Sequence, residues 1–180
     1  HVLDMHNSVK SFVTRQRMTD FAGHADNQLI WFSQADEEGD FVNAAPMAFE
    51  LIDRWMANIE SRPQRGVVAN KPADAVDACF YVDGELIYRG ADAWDGILDD
   101  GPDGPCTEAF PVYSTSRLIA GGPITGDVFK CHLQGVDEAI SRGVYGDVTF
   151  TAAQRDRLGQ IFPDGVCDYS KGDARRPASL

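Results

Sequence analysis

Two helical patterns separated by a continuous apolar run constrain the fold of this chain more than any other feature. Residues 9–21 carry apolar side chains near helical spacing, and residues 28–32 form the apolar run, which is typical of a strand buried on both faces. Residues 45–60 carry the clearest apolar stripe of a helix. Together with a short apolar run at 2–4, this order predicts the last two βα units of a doubly wound α/β sheet.

The rest of the chain has a different character. It is rich in Pro, Gly and Asp, with an Asp-Gly pair at 83–84 that predicts a hairpin and a Thr-x-x-Gln capping box at 151–154 that predicts a helix. We therefore expect two regions: the α/β core over residues 1–62, and a loop-rich region over residues 63–180 that packs on this core.

Four cysteines bear on how such an irregular region is held together. None forms a C-x-x-C pair, which favours disulfides over a metal site, with buried free thiols as a further alternative. Four cysteines allow three connectivities. We favour pairing sequence neighbours, Cys79 with Cys106 and Cys131 with Cys167, each bond contributing roughly 2–4 kcal/mol. Disulfides form in oxidising compartments, so we expect a secreted or periplasmic protein.

The charge of the chain argues against two classes of partner. Its formal net charge of −12 is unsuited to nucleic acid and to an anionic membrane surface. No apolar run approaches the length of a membrane span. Two acidic loops, at 36–40 and 95–103, offer oxygen ligands for calcium, but neither has the EF-hand spacing. We expect them to be solvated loops, and we expect no metal and no other cofactor.

Four short motifs carry a family resemblance. They are V-A-N-K-P-A at 68–73, Y-S-T-S-R at 113–117, F-K-C at 129–131 and I-F-P-D-G-V-C-D-Y at 161–169. They resemble tannase-like α/β-hydrolases, a branch related to tannases and feruloyl esterases, and the resemblance covers most of the chain. It implies an α/β-hydrolase fold and the hydrolysis of a small ester, or alternatively an amide, by a Ser-His-Asp triad.

The nucleophile that this resemblance implies is missing from the chain. There is no G-x-S-x-G elbow, and the cysteines are assigned to disulfides. Family members are longer and carry the serine before this segment, and the chain begins at His1 without a methionine, which suggests a processed or truncated end. We expect an upstream part of the same precursor to supply the serine, as a heterodimer if the precursor is cut. These 180 residues alone are not expected to be a self-sufficient enzyme.

Asp4 and His6 are the candidate catalytic residues of this segment. They follow a possible strand end and precede a helix, where the acid and base of a triad belong, and Asp-x-His resembles an element of the family. Either His6 is the base with an acid from upstream, or Asp4 is the acid and the base comes from elsewhere. The alternative is that His6 is a surface or structural histidine and Asp4 an N-cap or surface acid. For His24 and His132 a structural role is favoured.

The three tryptophans are candidates for a pocket that takes an aromatic ester. Trp31 and Trp55 lie in predicted regular elements and are expected in the core, whereas Trp94 lies in an irregular loop and is the candidate substrate-binding residue. The sequence therefore predicts part of a secreted serine hydrolase. The alternative is a non-catalytic extracellular binding or structural subunit with the same fold.

Overall fold

The computed structural model describes residues 8–35, 44–97 and 101–177, which divide into two units, His1–Tyr113 and Ser114–Leu180. Both units belong to a mixed α/β protein with two small sheets and two disulfides. The sequence predicts that a hydrolase core ends at residue 62. This limit is distinct from the boundary between the two units, which follows Tyr113, and it stays a prediction. None of the helices in the described ranges is long and apolar enough to cross a membrane.

The first unit is built around a three-stranded sheet. Its elements are α1 (Val9–Ala22), β1 (Trp31–Ser33), α2 (Ala44–Ser61), a short 3-10 helix (Pro63–Arg65), α3 (Gly66–Ala69), β2 (Ala78–Phe80), β3 (Leu86–Arg89) and α4 (Pro105–Ala109). The strand order is β1-β2-β3, with β1 parallel and β3 antiparallel to β2. A parallel pair needs a crossover connection, and here α2 lies in it, so β1, α2 and β2 form one βαβ unit.

Both predicted helices of this unit are confirmed, within one residue at each end. Gly23 ends α1 because it adopts a φ of +79° that glycine tolerates, and its N–H donates to the Thr19 carbonyl at 2.8 Å. The apolar stripe of α2 is narrower than predicted: Leu51 and Trp55 are buried, whereas Ile52 is 56% exposed. The predicted hairpin is also confirmed and joins β2 to β3.

The strand predicted over residues 28–32 is shorter and less buried than expected. β1 covers Trp31–Ser33, and all three of its residues are half-buried rather than enclosed on both faces. The physical reason is its place in the sheet, because β1 lies at one edge of the three strands. Ile30, just before the strand, is the fully buried member of the run, at 3% exposure.

Four aromatic rings form the core of the first unit. Phe12 from α1 lies 5.4 Å from the Trp94 ring, and Phe32 lies 4.6 Å from the same ring. The Phe110 ring is the fourth member, with its centroid 6.0 Å from that of Phe32 and 6.4 Å from that of Trp94. Cys79 and Cys106, both fully buried, form the predicted disulfide and join β2 to α4.

The second unit is built on a two-stranded sheet. Its elements are α5 (Ser116–Ile119), β4 (Cys131–Gln134), α6 (Val136–Ser141), α7 (Ala152–Ile161) and β5 (Val166–Asp173). β4 and β5 are antiparallel and are joined by the second predicted disulfide, Cys131 to Cys167. The predicted capping box opens α7, where Thr151 and Gln154 exchange hydrogen bonds, but no residue of this helix is buried.

Candidate functional site

The carboxyl ends of β1 and β2 define one edge of the sheet, and open α/β sheets bind ligands at that edge. Ser33 ends β1 and Phe80 ends β2, side by side in register. Gln34 N–H donates to the Phe80 carbonyl at 3.0 Å, so the pairing continues one residue past the strand. This edge is the candidate site of the first unit.

Helix α1 begins close to this same edge. Asp77 Oδ1 accepts hydrogen bonds from Ile30 N–H and from Arg15 Nη2, both at 2.8 Å, which places Arg15 level with the start of β1. Three residues earlier in the helix, the Phe12 ring contacts Phe32 inside β1, at 5.9 Å. From Arg15 back to Phe12, the contacts of the helix advance from the start of β1 to Phe32. The helix α1 therefore runs antiparallel to β1. Its amino end therefore lies towards the carboxyl edge.

The candidate catalytic residues precede this amino end. Asp4 and His6 lie outside the described residues, which begin at Ser8. Their roles stay predictions. The structure shows where α1, the helix that follows these two residues, begins.

Ser33 adds a feature that the sequence reasoning missed. Its hydroxyl oxygen is buried and has no hydrogen-bond partner among the described residues. A buried unpaired hydroxyl typically costs about 1–3 kcal/mol, and most buried polar groups in proteins are paired. The end of β1 therefore holds a buried hydroxyl that the described parts of the chain leave unpaired. No sequence pattern distinguishes this serine, because only its burial makes it unusual.

Trp94 lies in an irregular segment, as predicted, but its side chain is buried in the core. Its side chain is 4% exposed, its Nε1 donates to the Ile30 carbonyl at 3.1 Å, and rings surround it. A substrate has no access to it in this arrangement, so the proposed substrate-binding role gains no support and stays a prediction. Trp55 is buried as expected, whereas Trp31 is half-buried.

The two described histidines lack the surroundings of a catalytic base. His24 is about half exposed, with its Nδ1 atom 3.6 Å from Asp26 Oδ2, and His132 is exposed on β4. Within the described part of the chain, neither histidine hydrogen-bonds to a serine hydroxyl. All four cysteines are in disulfides, so no thiol is available as a nucleophile.

The second unit contains a buried carboxylate with several donors. Asp168 is 1% exposed and accepts from Ser170 Oγ at 2.5 Å, from Arg142 Nη1 at 2.8 Å and from Lys171 Nζ at 3.2 Å. These hydrogen bonds, that of Ser170 first, hold the pKa of Asp168 well below its usual value. Arg142 Nη1 also donates to Gln134 Oε1 at 2.6 Å. The sequence reasoning did not single out this cluster, since Asp168, Ser170 and Lys171 are neighbours in β5 but Arg142 joins them only through the fold, from 26 residues earlier.

The described residues of the two units contain no evident metal site. Among the described residues, no group of three or more His, Cys, Asp or Glu side chains is arranged to hold a metal ion. The acidic loop at 36–40 lies outside these residues, and residues 98–100 of the second loop do as well.

The fold and its edge define a class: a disulfide-bonded mixed α/β protein with a parallel βαβ unit and a candidate site at its carboxyl edge. The model of the tannase-like family of unknown function (DUF6351) matches residues 1–178, and the chain belongs to this family. The resemblance carried by the four motifs is thereby confirmed. Comparison with curated proteins and with solved structures gave no match.

Proposed function

We propose that this chain is part of a serine hydrolase that cleaves an ester, or alternatively an amide, and whose nucleophile lies on polypeptide outside these 180 residues. The observation that carries the proposal is the chain's membership of a tannase-like family, combined with the lack of a G-x-S-x-G elbow in its sequence. The parallel βαβ unit supports it, because α/β-hydrolases place their catalytic groups at the carboxyl edge of such a sheet.

The exposed side of β1 supports a sheet that continues onto further polypeptide. Ile30 and Gln34 pair inwards with β2, so by the alternation of a strand the backbone groups of Trp31 and Ser33 face outwards. These outward groups make no hydrogen bond to the described residues. Natural proteins cover or blunt such edges. In our proposal the hydrolase sheet continues from this edge, through the strand predicted at residues 2–4 to strands of the nucleophile-bearing part, and β1 and β2 belong to its terminal units.

His6 is the proposed general base. The amino end of α1 lies towards the carboxyl edge, and His6 precedes that helix by three residues in sequence. In the proposed mechanism, neutral His6 takes the proton of the serine hydroxyl as it attacks the ester carbonyl, and then protonates the leaving alcohol. An acid fixes the imidazole tautomer and stabilises the imidazolium. That acid is Asp4 or a carboxylate on the nucleophile-bearing part.

The proposed location is extracellular or periplasmic. Two disulfides are formed between the four cysteines, and such bonds persist in oxidising compartments. A precursor that is cut during export would give the proposed pair of chains. The nucleophile-bearing part is therefore the expected partner, and a small ester or amide the expected substrate.

Substitution of histidine in the native protein, with all its polypeptide, tests the proposal. His6→Ala should lower the turnover of a phenolic ester by about 10³-fold or more, because the serine loses its base. The matched control is His24→Ala, a half-exposed histidine of the same unit, which should leave turnover within about twofold. Equal turnover in His6→Ala and the control would eliminate His6 as the base.

The acid is assigned by a second variant. Asp4→Asn should also reduce turnover by several orders of magnitude if Asp4 orients His6, as removing the acid of a triad does. Unchanged turnover would move the acid to the nucleophile-bearing part. A native protein that hydrolyses no ester or amide in a broad panel would instead favour the non-catalytic extracellular subunit.

A further inference from the structure

A cluster in the second unit combines one buried carboxylate with two partly exposed cations. Arg142 and Lys171 both donate to the same oxygen, Asp168 Oδ2, at 2.8 and 3.2 Å. The Asp168 side chain is 2% exposed, whereas those of Arg142 and Lys171 are 39% and 54% exposed. Both cations therefore contact one oxygen and remain exposed to solvent, whereas the carboxylate that they share is buried.

The charges of this cluster do not cancel. Two cations share a single carboxylate, and neither forms a salt bridge with another carboxylate among the described residues. The excess of one positive charge stands out in a chain with a net charge of −12. Since the pKa of Asp168 is lowered, its negative charge is fixed at neutral pH and the excess stays at one unit.

Arg142 is held in position and still has donors to offer. Both hydrogens of Nη1 are used, by Gln134 Oε1 at 2.6 Å and Asp168 Oδ2 at 2.8 Å, and Nη2 donates to Ser170 Oγ at 3.0 Å. The remaining donors are Nε–H and the second hydrogen of Nη2, which have no acceptor in the described parts of the chain. These are the two donors with which a guanidinium binds a carboxylate side-on. Lys171, which contacts the same oxygen of Asp168, has two further hydrogens.

We propose that Arg142 and Lys171 form a binding site for a small carboxylate anion. The planar fork of Arg142 takes both carboxylate oxygens, and Lys171 adds a second positive charge close by. Fixing the guanidinium in advance removes part of the entropy cost that a mobile arginine would pay on binding. This site is independent of the proposed hydrolase activity, because it is argued from the second unit alone.

The charge of the cluster favours a carboxylate over a phosphate. The fork of an arginine fits both anions, but the single charge of a carboxylate balances the excess of one, whereas a phosphate dianion would leave the cluster negative. The site is also open to water on the side of both cations, so we expect weak binding, with a Kd on the order of 1–10 mM.

A titration of the full 180-residue chain with acetate tests this proposal. The Arg142 Nε–H signal, followed by NMR in arginine-labelled protein, should shift and saturate with a millimolar Kd. Arg155, an exposed arginine on α7 with no ion pair among the described residues, is the internal reference and should shift little without saturating. A response of Arg142 that matches that of Arg155 would overturn the proposal.

Two substitutions test the role of Lys171, and a second anion tests the preference for a carboxylate. Lys171→Gln leaves the three acceptors of Arg142 in place and should weaken acetate binding several-fold, whereas Lys130→Gln, a matched exposed lysine, should not change it. Equal affinities in both variants would remove Lys171 from the site. Inorganic phosphate at pH 7 should bind no more tightly than acetate. Clearly tighter phosphate binding would overturn the assignment to carboxylates.

Discussion

In the first unit Phe12, Trp94 and Phe110 pack ring against ring in a buried core, whereas the described part of the second unit buries Val128, Val136 and Ala139 as its apolar residues. A buried aromatic side chain contributes about 1.5–3 kcal/mol of burial free energy or more, and alanine far less. The second unit adds a polar cluster around Asp168 and a helix, α7, with no buried residue. One chain is therefore stabilised in two different ways, by an aromatic core in the first unit and by a polar cluster and a disulfide in the second.

The two disulfides differ in burial in the same way as the two units. Cys79 and Cys106 are fully buried in the aromatic core, while Cys131 and Cys167 join two half-buried strand positions. Their sequence separations of 27 and 36 residues give similar loop entropies, each worth roughly 3–4 kcal/mol. Small units with little core depend on such cross-links. We therefore expect the same chemical change to have unequal consequences in the two units.

The largest expected effect comes from the aromatic core. Phe12→Ala should lower the free energy of unfolding of the first unit by about 3–5 kcal/mol, because Phe12 is fully buried and its removal leaves a cavity. Urea denaturation followed by tryptophan fluorescence measures it, since all three tryptophans lie in this unit. The control is Phe21→Ala in the same unit, 94% exposed, with an expected change within about 0.5 kcal/mol. Similar losses in both variants would contradict the role given to the aromatic core.

Removing each disulfide gives the next largest effect. Cys131→Ala with Cys167→Ala should abolish the slow hydrogen exchange of β4 and β5, because roughly 3–4 kcal/mol is most of what so small a core can supply. Cys79→Ala with Cys106→Ala should lower the stability of the first unit by a similar amount and leave it folded, as native tryptophan fluorescence would report. Preserved exchange protection in β4 and β5 without their disulfide would contradict this account.

The smallest effect concerns pH and the polar cluster. The pKa of Asp168 is lowered by Ser170, Arg142 and Lys171, so its contribution to stability is complete above the unfolded aspartate pKa of about 3.9. That contribution is lost as the pH falls below this value towards the lower folded pKa. The melting temperature of the second unit should therefore fall more steeply below about pH 4 in the native chain than in Asp168→Asn. The exposed control, Asp156→Asn, should keep the native slope.

Local patterns in the sequence predicted most of the regular elements. The apolar stripe of residues 45–60, the capping box at 151–154 and the Asp-Gly hairpin each involve neighbours within a few positions, where chain geometry alone decides which side chains meet. Pairing cysteines by sequence order succeeded for a related reason, because each bond closes a short loop. The family motifs also carried the assignment to a tannase-like family.

Long-range contacts account for what the sequence did not predict. Trp94 was predicted in an irregular loop as a candidate for binding substrate, but rings from α1, β1 and the residues after α4 surround it. The burial of the Ser33 hydroxyl depends on the fold around it, and Arg142 reaches Asp168 from 26 residues earlier in the chain, although Ser170 and Lys171 are its neighbours in β5. No local period signals such contacts. The candidate catalytic pair, Asp4 and His6, stays a prediction from the sequence.

The proposal that another polypeptide segment carries the nucleophile is tested most directly by labelling the native protein with a fluorophosphonate. The label should fall on one serine outside these 180 residues, and peptide mapping by mass spectrometry would identify it. Labelling should disappear in His6→Ala and persist in His24→Ala. A label on a serine within this chain, or an ester-hydrolysing native protein that takes no label at all, would contradict the account.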